Sequence, residues 1–220
     1  MSEHIYGIEK LMIFLLGNSA VGKTSFINKY AKDTFDDNYL TTIGIDFVLK
    51  NIKLKTGEEI TLRLYDTAGQ ETYRAISYNL VKSADGIILM YDITDRISYD
   101  EINEWIENIH KIKGDDFPII LIGNKSDLKE ERNISKEEGK ELADKYKFPF
   151  METSCKDGTN IDESVNILVS KMFENKKLEK ENENQEKEKN GDRGSINFRL
   201  SIDEEKEKEK KKKEKKKCCQ

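Results

Sequence analysis

Short runs of apolar residues alternate with amphipathic segments through residues 10–175. Runs of about four to eight apolar residues predict strands, and in an alternating pattern they indicate parallel strands buried on both faces. The turn residues Thr56, Gly57 and Glu58 separate two of these runs and predict a β-hairpin. The predicted strands are Leu11–Leu16, Phe47–Leu54, Ile60–Tyr65, Ile87–Tyr91, Ile119–Ile122 and Phe148–Glu152.

Helices are predicted between these strands, including Lys23–Lys32 and Ile161–Phe173. Three helix starts have the residue spacing of a capping box or its Asn variant: Ser98 with Glu101, Ser135 with Glu138, and Asn160 with Glu163. This alternation predicts an α/β fold with a six-stranded, mostly parallel sheet and helices on both faces. Because ligands of such sheets bind at the carboxyl ends of the strands, polar residues that directly follow a strand are candidate site residues.

The first such segment lies between the strand Leu11–Leu16 and the helix Lys23–Lys32, and it matches the pattern G-x-x-x-x-G-K-[ST]. In that pattern, backbone N–H groups of the loop and of the helix N-terminus bind phosphate oxygens. The Lys23 ammonium adds a positive charge at the β and γ phosphates, and the Thr24 hydroxyl is a ligand for Mg²⁺. We therefore expect a nucleotide to contact Gly17, Asn18, Ser19, Ala20, Val21, Gly22, Lys23, Thr24 and Ser25.

The choice of base is predicted by the tetrapeptide Asn124-Lys125-Ser126-Asp127, which follows the strand Ile119–Ile122. The Asp127 carboxylate suits guanine because it accepts hydrogen bonds from the N1–H and the amino group of that base. Adenine presents a lone pair at N1, which leaves the carboxylate unpaired at a free-energy cost. The Lys125 stem is expected to lie over the base. An ATP-dependent kinase, the other common user of this phosphate loop, does not fit Asn124 and Asp127.

Two further segments follow predicted strands. Asp66, after the strand Ile60–Tyr65, is placed to hold Mg²⁺ through a water, since Mg²⁺ loses its own waters reluctantly. In the same segment, Gly69 offers a backbone N–H to the γ-phosphate and Gln70 orients the attacking water. Ser154, Cys155 and Lys156 follow the last strand and are expected to complete the base pocket.

In this order, the phosphate loop, Asp66–Glu71, Asn124–Asp127 and Ser154–Lys156 resemble the Ras superfamily over about residues 10–175. Ile43–Phe47 is similar to the segment typical of its Rab branch. The resemblance implies a P-loop NTPase G-domain in which Thr42 senses the γ-phosphate and Mg²⁺. It also implies that Phe35 packs against the guanine, that Tyr39 lines the nucleotide site, and that the Cys155 N–H meets the guanine O6.

The resemblance further implies a GTPase that alternates between GDP- and GTP-bound states and regulates vesicle and membrane traffic. Lys23 and Gln70 are the catalytic residues, Mg²⁺ is held by Thr24, Thr42 and Asp66, and an activating protein supplies an arginine. Implied partners are an exchange factor, a GTPase-activating protein, effectors, a GDP-dissociation inhibitor and a prenylation escort protein. The alternative is an interaction scaffold that holds nucleotide with little or no turnover, against which Gln70, Thr42 and Lys23 count.

Charge divides the chain into a body and a tail. Residues 176–220 carry 16 basic and 12 acidic side chains, a net charge of +4, whereas residues 1–175 carry a net charge of −9. An acidic body argues against nucleic-acid binding, because phosphate neutralisation needs a basic face. Apolar residues become scarce after Glu174, and such a segment is expected to be disordered. The predicted organisation is an N-terminal extension (1–9), a GTP-binding domain (10–175) and a flexible tail (176–220).

The C-terminus ends Cys218-Cys219-Gln220, which resembles the double prenylation site of Rab proteins. The run Lys206–Lys217 has nine lysines and three glutamates and suits an anionic membrane surface. A lipid combined with a basic patch anchors a protein firmly, whereas one lipid alone binds marginally. Without an apolar stretch in Met1–Lys10 typical of a secretory signal, we expect the cytoplasmic face of an intracellular membrane, in exchange with the cytosol. An apolar patch at 196–202 is either a chance feature of the tail or an extended segment that docks on the prenylation escort protein or on the body's own surface.

Overall fold

The computed structural model describes residues 9–35, 45–54, 57, 59–67 and 81–176. The chain divides into two compact units, residues 1–173 and 174–220, and of the second unit the structure describes residues 174–176. The predicted N-terminal extension lies outside the described residues except for Glu9. The predicted flexible tail, including Cys218, Cys219 and the patch at 196–202, lies outside them except for Lys176.

A six-stranded sheet forms the centre of the first unit, as predicted, with the strand order β2-β3-β1-β4-β5-β6. Each pair of neighbours is parallel except β2 with β3, the antiparallel pair predicted as a hairpin. Ile13 of β1 is paired with Leu64 on one side and with Gly86 on the other. The strands are β1 (Glu9–Leu16), β2 (Ile45–Lys53), β3 (Glu59–Thr67), β4 (Gly86–Asp92), β5 (Ile119–Asn124) and β6 (Phe150–Thr153).

Helices flank the sheet, and two of them begin at residues whose side chains accept a hydrogen bond from the first turn. Ser135 accepts a hydrogen bond from the Glu138 N–H and the Glu138 carboxylate accepts one from the Ser135 N–H, which confirms that predicted capping box. A 3₁₀ turn covers Lys129–Glu131. The helices are α1 (Lys23–Lys32), α2 (Arg96–Asp100), α3 (Ile102–Lys113), α4 (Lys136–Lys145) and α5 (161–176).

The predicted capping box at Ser98 and Glu101 is wrong. Helix α2 begins after Asp95, whose carboxylate accepts a hydrogen bond from the Ile97 N–H. Ser98 is buried inside that helix, and its hydroxyl oxygen accepts from the Asp92 N–H at 3.0 Å. The serine therefore fastens the helix to the end of β4 instead of starting it.

At the third predicted helix start, Asn160 directly precedes α5 and has a left-handed backbone with φ of 58°. Its side-chain amide donates to the Glu152 carbonyl at 2.8 Å, which connects the start of α5 to β6.

The two faces of the sheet bury alternate side chains of each strand, because neighbouring side chains of a strand point in opposite directions. On β1, Leu11, Ile13 and Leu15 pack with α1 and α5, whereas Phe14 and Leu16 pack with α3 and α4. Helices therefore cover both faces, as the sequence predicts. Within the described residues, no helix is long and apolar enough to cross a membrane.

Candidate nucleotide site

The loop from Gly17 to Gly22 joins β1 to α1 and holds its shape through two glycines. Gly17 has φ of 135° and Gly22 has φ of 101°, a region that favours glycine because it has no Cβ. A Cβ at Gly17 would overlap the Met90 carbonyl oxygen, and one at Gly22 would overlap the Asn124 side-chain nitrogen. The loop thus runs tightly between the ends of β4 and β5.

Lys23 is the first residue of α1, and its ammonium group is turned back into this loop. The Nζ atom donates to the Gly17 carbonyl at 2.9 Å and to the Asn18 carbonyl at 2.6 Å, and the side chain is 5% exposed. Burial lowers the pKa of Lys23 to about 8, although the Asp66 carboxylate opposes that shift. A cation held by two neutral carbonyls in a buried position is suited to exchange them for a phosphate.

Thr24 and Asp66 meet beside this lysine, as a shared metal site requires. The Thr24 hydroxyl donates to the Asp66 carboxylate at 2.6 Å, and the Thr67 hydroxyl fixes the end of β3 by donating to the Leu15 carbonyl at 2.6 Å. The pair supplies hard oxygen ligands, which Mg²⁺ prefers in proteins. The described residues contain no cluster of three or more His, Cys, Asp or Glu that could hold a metal. A site of one carboxylate and one hydroxyl fits Mg²⁺, since this ion usually keeps several waters and binds substrate phosphates.

Asn124, at the end of β5, connects the predicted base loop to the phosphate loop. Its side-chain amide donates to the Val21 carbonyl at 2.8 Å, and its carbonyl oxygen accepts from the Thr153 hydroxyl at 3.0 Å. Asn124 and Thr153 are both fully buried. Asn124 of the tetrapeptide therefore connects the base loop to the phosphate loop through its side chain.

Asp127 is oriented by the segment that follows β6. The Ser154 hydroxyl donates to Asp127 Oδ1 at 2.7 Å, and the Ser126 N–H donates to the Thr153 carbonyl at 3.0 Å. These bonds bring two of the predicted base-reading segments together. The carboxylate predicted to read guanine is thus held by its neighbours.

Lys125 has a left-handed backbone with φ of 67°, and its Nζ forms an ion pair with Asp92 Oδ2 at 2.6 Å. Asp92 is buried at the end of β4 and also accepts from the N–H and the hydroxyl of Thr94. Sequence reasoning missed this role of Asp92. Its position directly after the strand Ile87–Tyr91, at the edge where ligands bind, was the available signal.

Cys155 is buried in the same pocket, with its Sγ 3.4 Å from Asn124 Oδ1. Burial raises the pKa of the Cys155 thiol to about 12, so at neutral pH the side chain is a neutral packing group. The preceding residue, Ser154, is buried, whereas Lys156 is exposed.

Phe35 is 37% exposed at the end of the described segment that follows α1. Several predicted residues fall outside the described part of the chain: Tyr39, Thr42, Gly69 and Gln70. Another contact to the phosphate loop was not predicted: the Trp105 indole of α3 donates to Asn18 Oδ1 at 3.2 Å. No local sequence motif marks this pair, which is 87 residues apart.

Comparison with known proteins gives a consistent result. The family model described as the Ras family matches residues 12–174. The chain is 41% identical to human Ras-related protein Rab-3A over 167 residues, which cover 74% of this chain and 76% of that protein. It is 42% identical to bovine (Bos taurus) Ras-related protein Rab-3C, over 74% of this chain and 73% of that protein. It is also 42% identical to Ras-related protein Rab-8B of Pongo abelii, over 69% of this chain and 73% of that protein.

Proposed function

The chain belongs to the Ras family, as a Rab-like small GTPase that hydrolyses GTP and regulates vesicle traffic, and from this premise we propose how its residues divide the nucleotide cycle. One observation carries the proposal. The Asn124 amide donates to the Val21 carbonyl, so the base-reading loop and the phosphate-binding loop form one connected site. We assign guanine recognition to Asp127 and Lys125, with Ser154, Cys155 and Lys156 completing the pocket.

Phosphate binding is assigned to the loop Gly17–Gly22, Lys23, Thr24 and Ser25. Lys23 leaves the carbonyls of Gly17 and Asn18 and binds the β and γ phosphates. Thr24 and Asp66, which are in contact, would hold Mg²⁺ together with Thr42. When bound, that ion would neutralise negative charge on the β and γ phosphates. On this assignment, GTP is distinguished from GDP by Thr42 and Gly69, both of which meet the γ-phosphate.

Hydrolysis is the attack of water on the γ-phosphorus with cleavage of its bond to the β–γ bridging oxygen. Gln70 orients that water, and Lys23 stabilises charge that develops on the transferred phosphoryl group. Most of the rate comes from positioning, because phosphoryl transfer needs little covalent chemistry from the protein. An activating protein that inserts an arginine would add about 10³–10⁵ in rate.

A single-turnover assay tests the catalytic assignment. The full chain and its Gln70→Leu variant are loaded with γ-labelled GTP, and phosphate release is followed after Mg²⁺ is added. We expect the variant to bind GTP as tightly as the wild type and to release phosphate far more slowly. Release at the wild-type rate, with and without an activating protein, would remove Gln70 from the mechanism.

Membrane attachment through prenylated Cys218 and Cys219 is also proposed, with an escort protein delivering the chain to the lipid-transferring enzyme. Further partners would be an exchange factor, effectors and a GDP-dissociation inhibitor. Each buried lipid CH₂ contributes about 0.8 kcal/mol, so a whole prenyl chain contributes several times more than one surface lysine, which adds about 1 kcal/mol. Serine at both cysteines should therefore make the protein cytosolic, while Gln at Lys210–Lys213 should only weaken binding. A double-serine protein that still pellets with membranes would contradict the lipid anchor.

A further inference from the structure

Trp105, the single tryptophan of the chain, lies on α3 and contacts the phosphate-binding loop from outside it. Its side chain is 2% exposed, and its indole Nε1–H donates to Asn18 Oδ1 at 3.2 Å. The two residues are separated by 87 positions, so the contact exists only because the fold brings α3 to the carboxyl end of β1.

Asn18 is bound at two of its groups. Its side-chain oxygen accepts from Trp105, and its backbone carbonyl accepts from Lys23 Nζ at 2.6 Å. The first bond does not involve Lys23, so it can persist whether or not the lysine turns toward a phosphate. Trp105 can therefore keep Asn18 in place while Lys23 changes partners.

Trp105 is itself firmly held. Its ring packs in the buried cluster that contains Leu16 of β1 and Ile106 and Ile109 of α3. At the other end of the same helix, Lys113 Nζ donates to the Ala84 carbonyl at 2.8 Å. Because α3 is held by core packing and by this hydrogen bond at its far end, the indole N–H is a well-positioned donor.

We propose that Trp105 is a positioning residue for nucleotide binding, which fixes Asn18 and thereby the shape of the phosphate-binding loop. The inference rests on the proposed assignment of that loop to phosphate. It predicts that loss of the indole N–H speeds nucleotide release. A neutral hydrogen bond of this kind corresponds to an increase in the GDP release rate of about three- to tenfold.

The test measures GDP dissociation from the full chain in the presence of Mg²⁺, together with the melting temperature. Trp105→Phe keeps a ring and removes the donor, and Asn18→Ala removes the acceptor. Ile109→Val is the control, since it removes one methyl group from a fully buried residue of the same helix. We expect faster release from the first two variants, and release from the control at the wild-type rate despite its lower melting temperature.

A double variant separates positioning from packing. If Trp105 acts through Asn18, then Trp105→Phe adds nothing to the release rate of Asn18→Ala, since the bond is already absent. Additive effects, or equal acceleration by Ile109→Val, would show that Trp105 only fills the core and would overturn the inference. A wild-type chain that holds no GDP would instead overturn the proposed function.

Fluorescence provides a readout that needs no substitution of Trp105. Because this is the single tryptophan of the chain, its emission reports the environment of one indole. We expect the emission maximum of GDP-loaded Asn18→Ala to differ from that of the wild type, since the N–H has lost its acceptor. Glu107→Gln, an exposed change on the same helix, should leave the emission unchanged. Identical spectra for Asn18→Ala and the wild type would contradict the inference.

Discussion

The base end and the phosphate end of the nucleotide site differ in what their polar groups bind. At the base end, Asp127, Lys125 and Asn124 bind neighbouring side chains and one loop carbonyl. At the phosphate end, Lys23 binds the Gly17 and Asn18 carbonyls, and Thr24 binds Asp66.

A switch protein can keep its ligand and still change state when the two ends of its site respond differently to the nucleotide. A preassembled base end loses little conformational entropy when guanine binds, which favours affinity and selectivity. On the proposed assignment, the phosphate end forms new bonds to phosphate and metal when nucleotide binds. We therefore expect this end to respond to the number of phosphates.

The largest expected effect comes from breaking the base end at Asp127. Asp127→Asn removes two hydrogen bonds to a charged acceptor, each about 1.5–3 kcal/mol, so GTP affinity should fall about 10²–10⁴-fold. Xanthine nucleotides should gain affinity, because their C2 oxygen accepts from the new amide. Competition between GTP and XTP measures both changes. Asp157→Asn, an exposed substitution in a neighbouring loop, is the control and should keep the preference for GTP, whereas unchanged preference in Asp127→Asn would contradict the assignment.

The second effect comes from removing the Asn124 side chain, which connects the base end to the phosphate end. Asn124→Ala leaves the buried Val21 carbonyl and Thr153 hydroxyl without their partner, at about 1–3 kcal/mol each. For a domain of this size each kcal/mol lowers the melting temperature by about 2–4 °C, so the total loss of about 2–6 kcal/mol predicts a drop of about 4–24 °C. Thermal unfolding of nucleotide-free protein measures it. A nucleotide-free variant with the melting temperature of the wild type would contradict a preassembled base end, even if the two melting temperatures differ when nucleotide is present.

The third effect tests the exchange made by Lys23. The pKa of Lys23 is about 8 in the absence of phosphate, and binding an anion raises it. Above pH 8 the free protein has lost this proton and binding must restore it, so affinity falls as the pH rises. Between pH 7 and pH 9 the dissociation constant for GDP should rise about tenfold from this group.

Lys23→Arg is the matched comparison for that pH profile, because a guanidinium stays charged throughout this range. Its GDP affinity should be lower than that of the wild type but should lack the slope between pH 7 and pH 9. Parallel profiles for the two proteins would assign the slope to another group.

The smallest effect is expected from Asp92, which holds Lys125 at the base end. Asp92→Asn removes an ion pair of which the lysine side is one-third exposed, so screening by solvent limits its contribution. GDP release should become about two- to fivefold faster. In a Lys125→Met background the same substitution should change the release rate no further. A large effect in that background would mean that Asp92 acts on the fold instead of on Lys125.

The sequence predicted the sheet well because the apolar runs of β4 and β5 have no amphipathic alternative. The motif residues within the described part of the chain also lie close together as expected, since they stand at or just after the carboxyl ends of strands. Ser98 shows where local rules stop. Asp95 and Ser98 are both suited to begin a helix, and only the end of β4, where the Asp92 N–H needs an acceptor, decides between them.

Contacts between distant residues were beyond sequence reasoning for a similar reason. The pairs Asp92 with Lys125 and Asn18 with Trp105 depend on which strands are neighbours and on how α3 packs. Neither pair has a characteristic spacing. The predicted roles of Tyr39, Thr42, Gly69, Gln70, Cys218 and Cys219 lie outside the described residues and remain predictions.

Hydrogen–deuterium exchange of nucleotide-free and GDP-loaded protein tests the contrast between the two ends most directly. Amides of the base-end framework, such as that of Ser126 bonded to the Thr153 carbonyl, should exchange slowly and at similar rates in both states. Amides of Gly17–Gly22 and of the first turn of α1 should become markedly more protected when GDP and Mg²⁺ bind. Equal gains in protection at both ends would contradict a preassembled base end beside a phosphate end that rearranges.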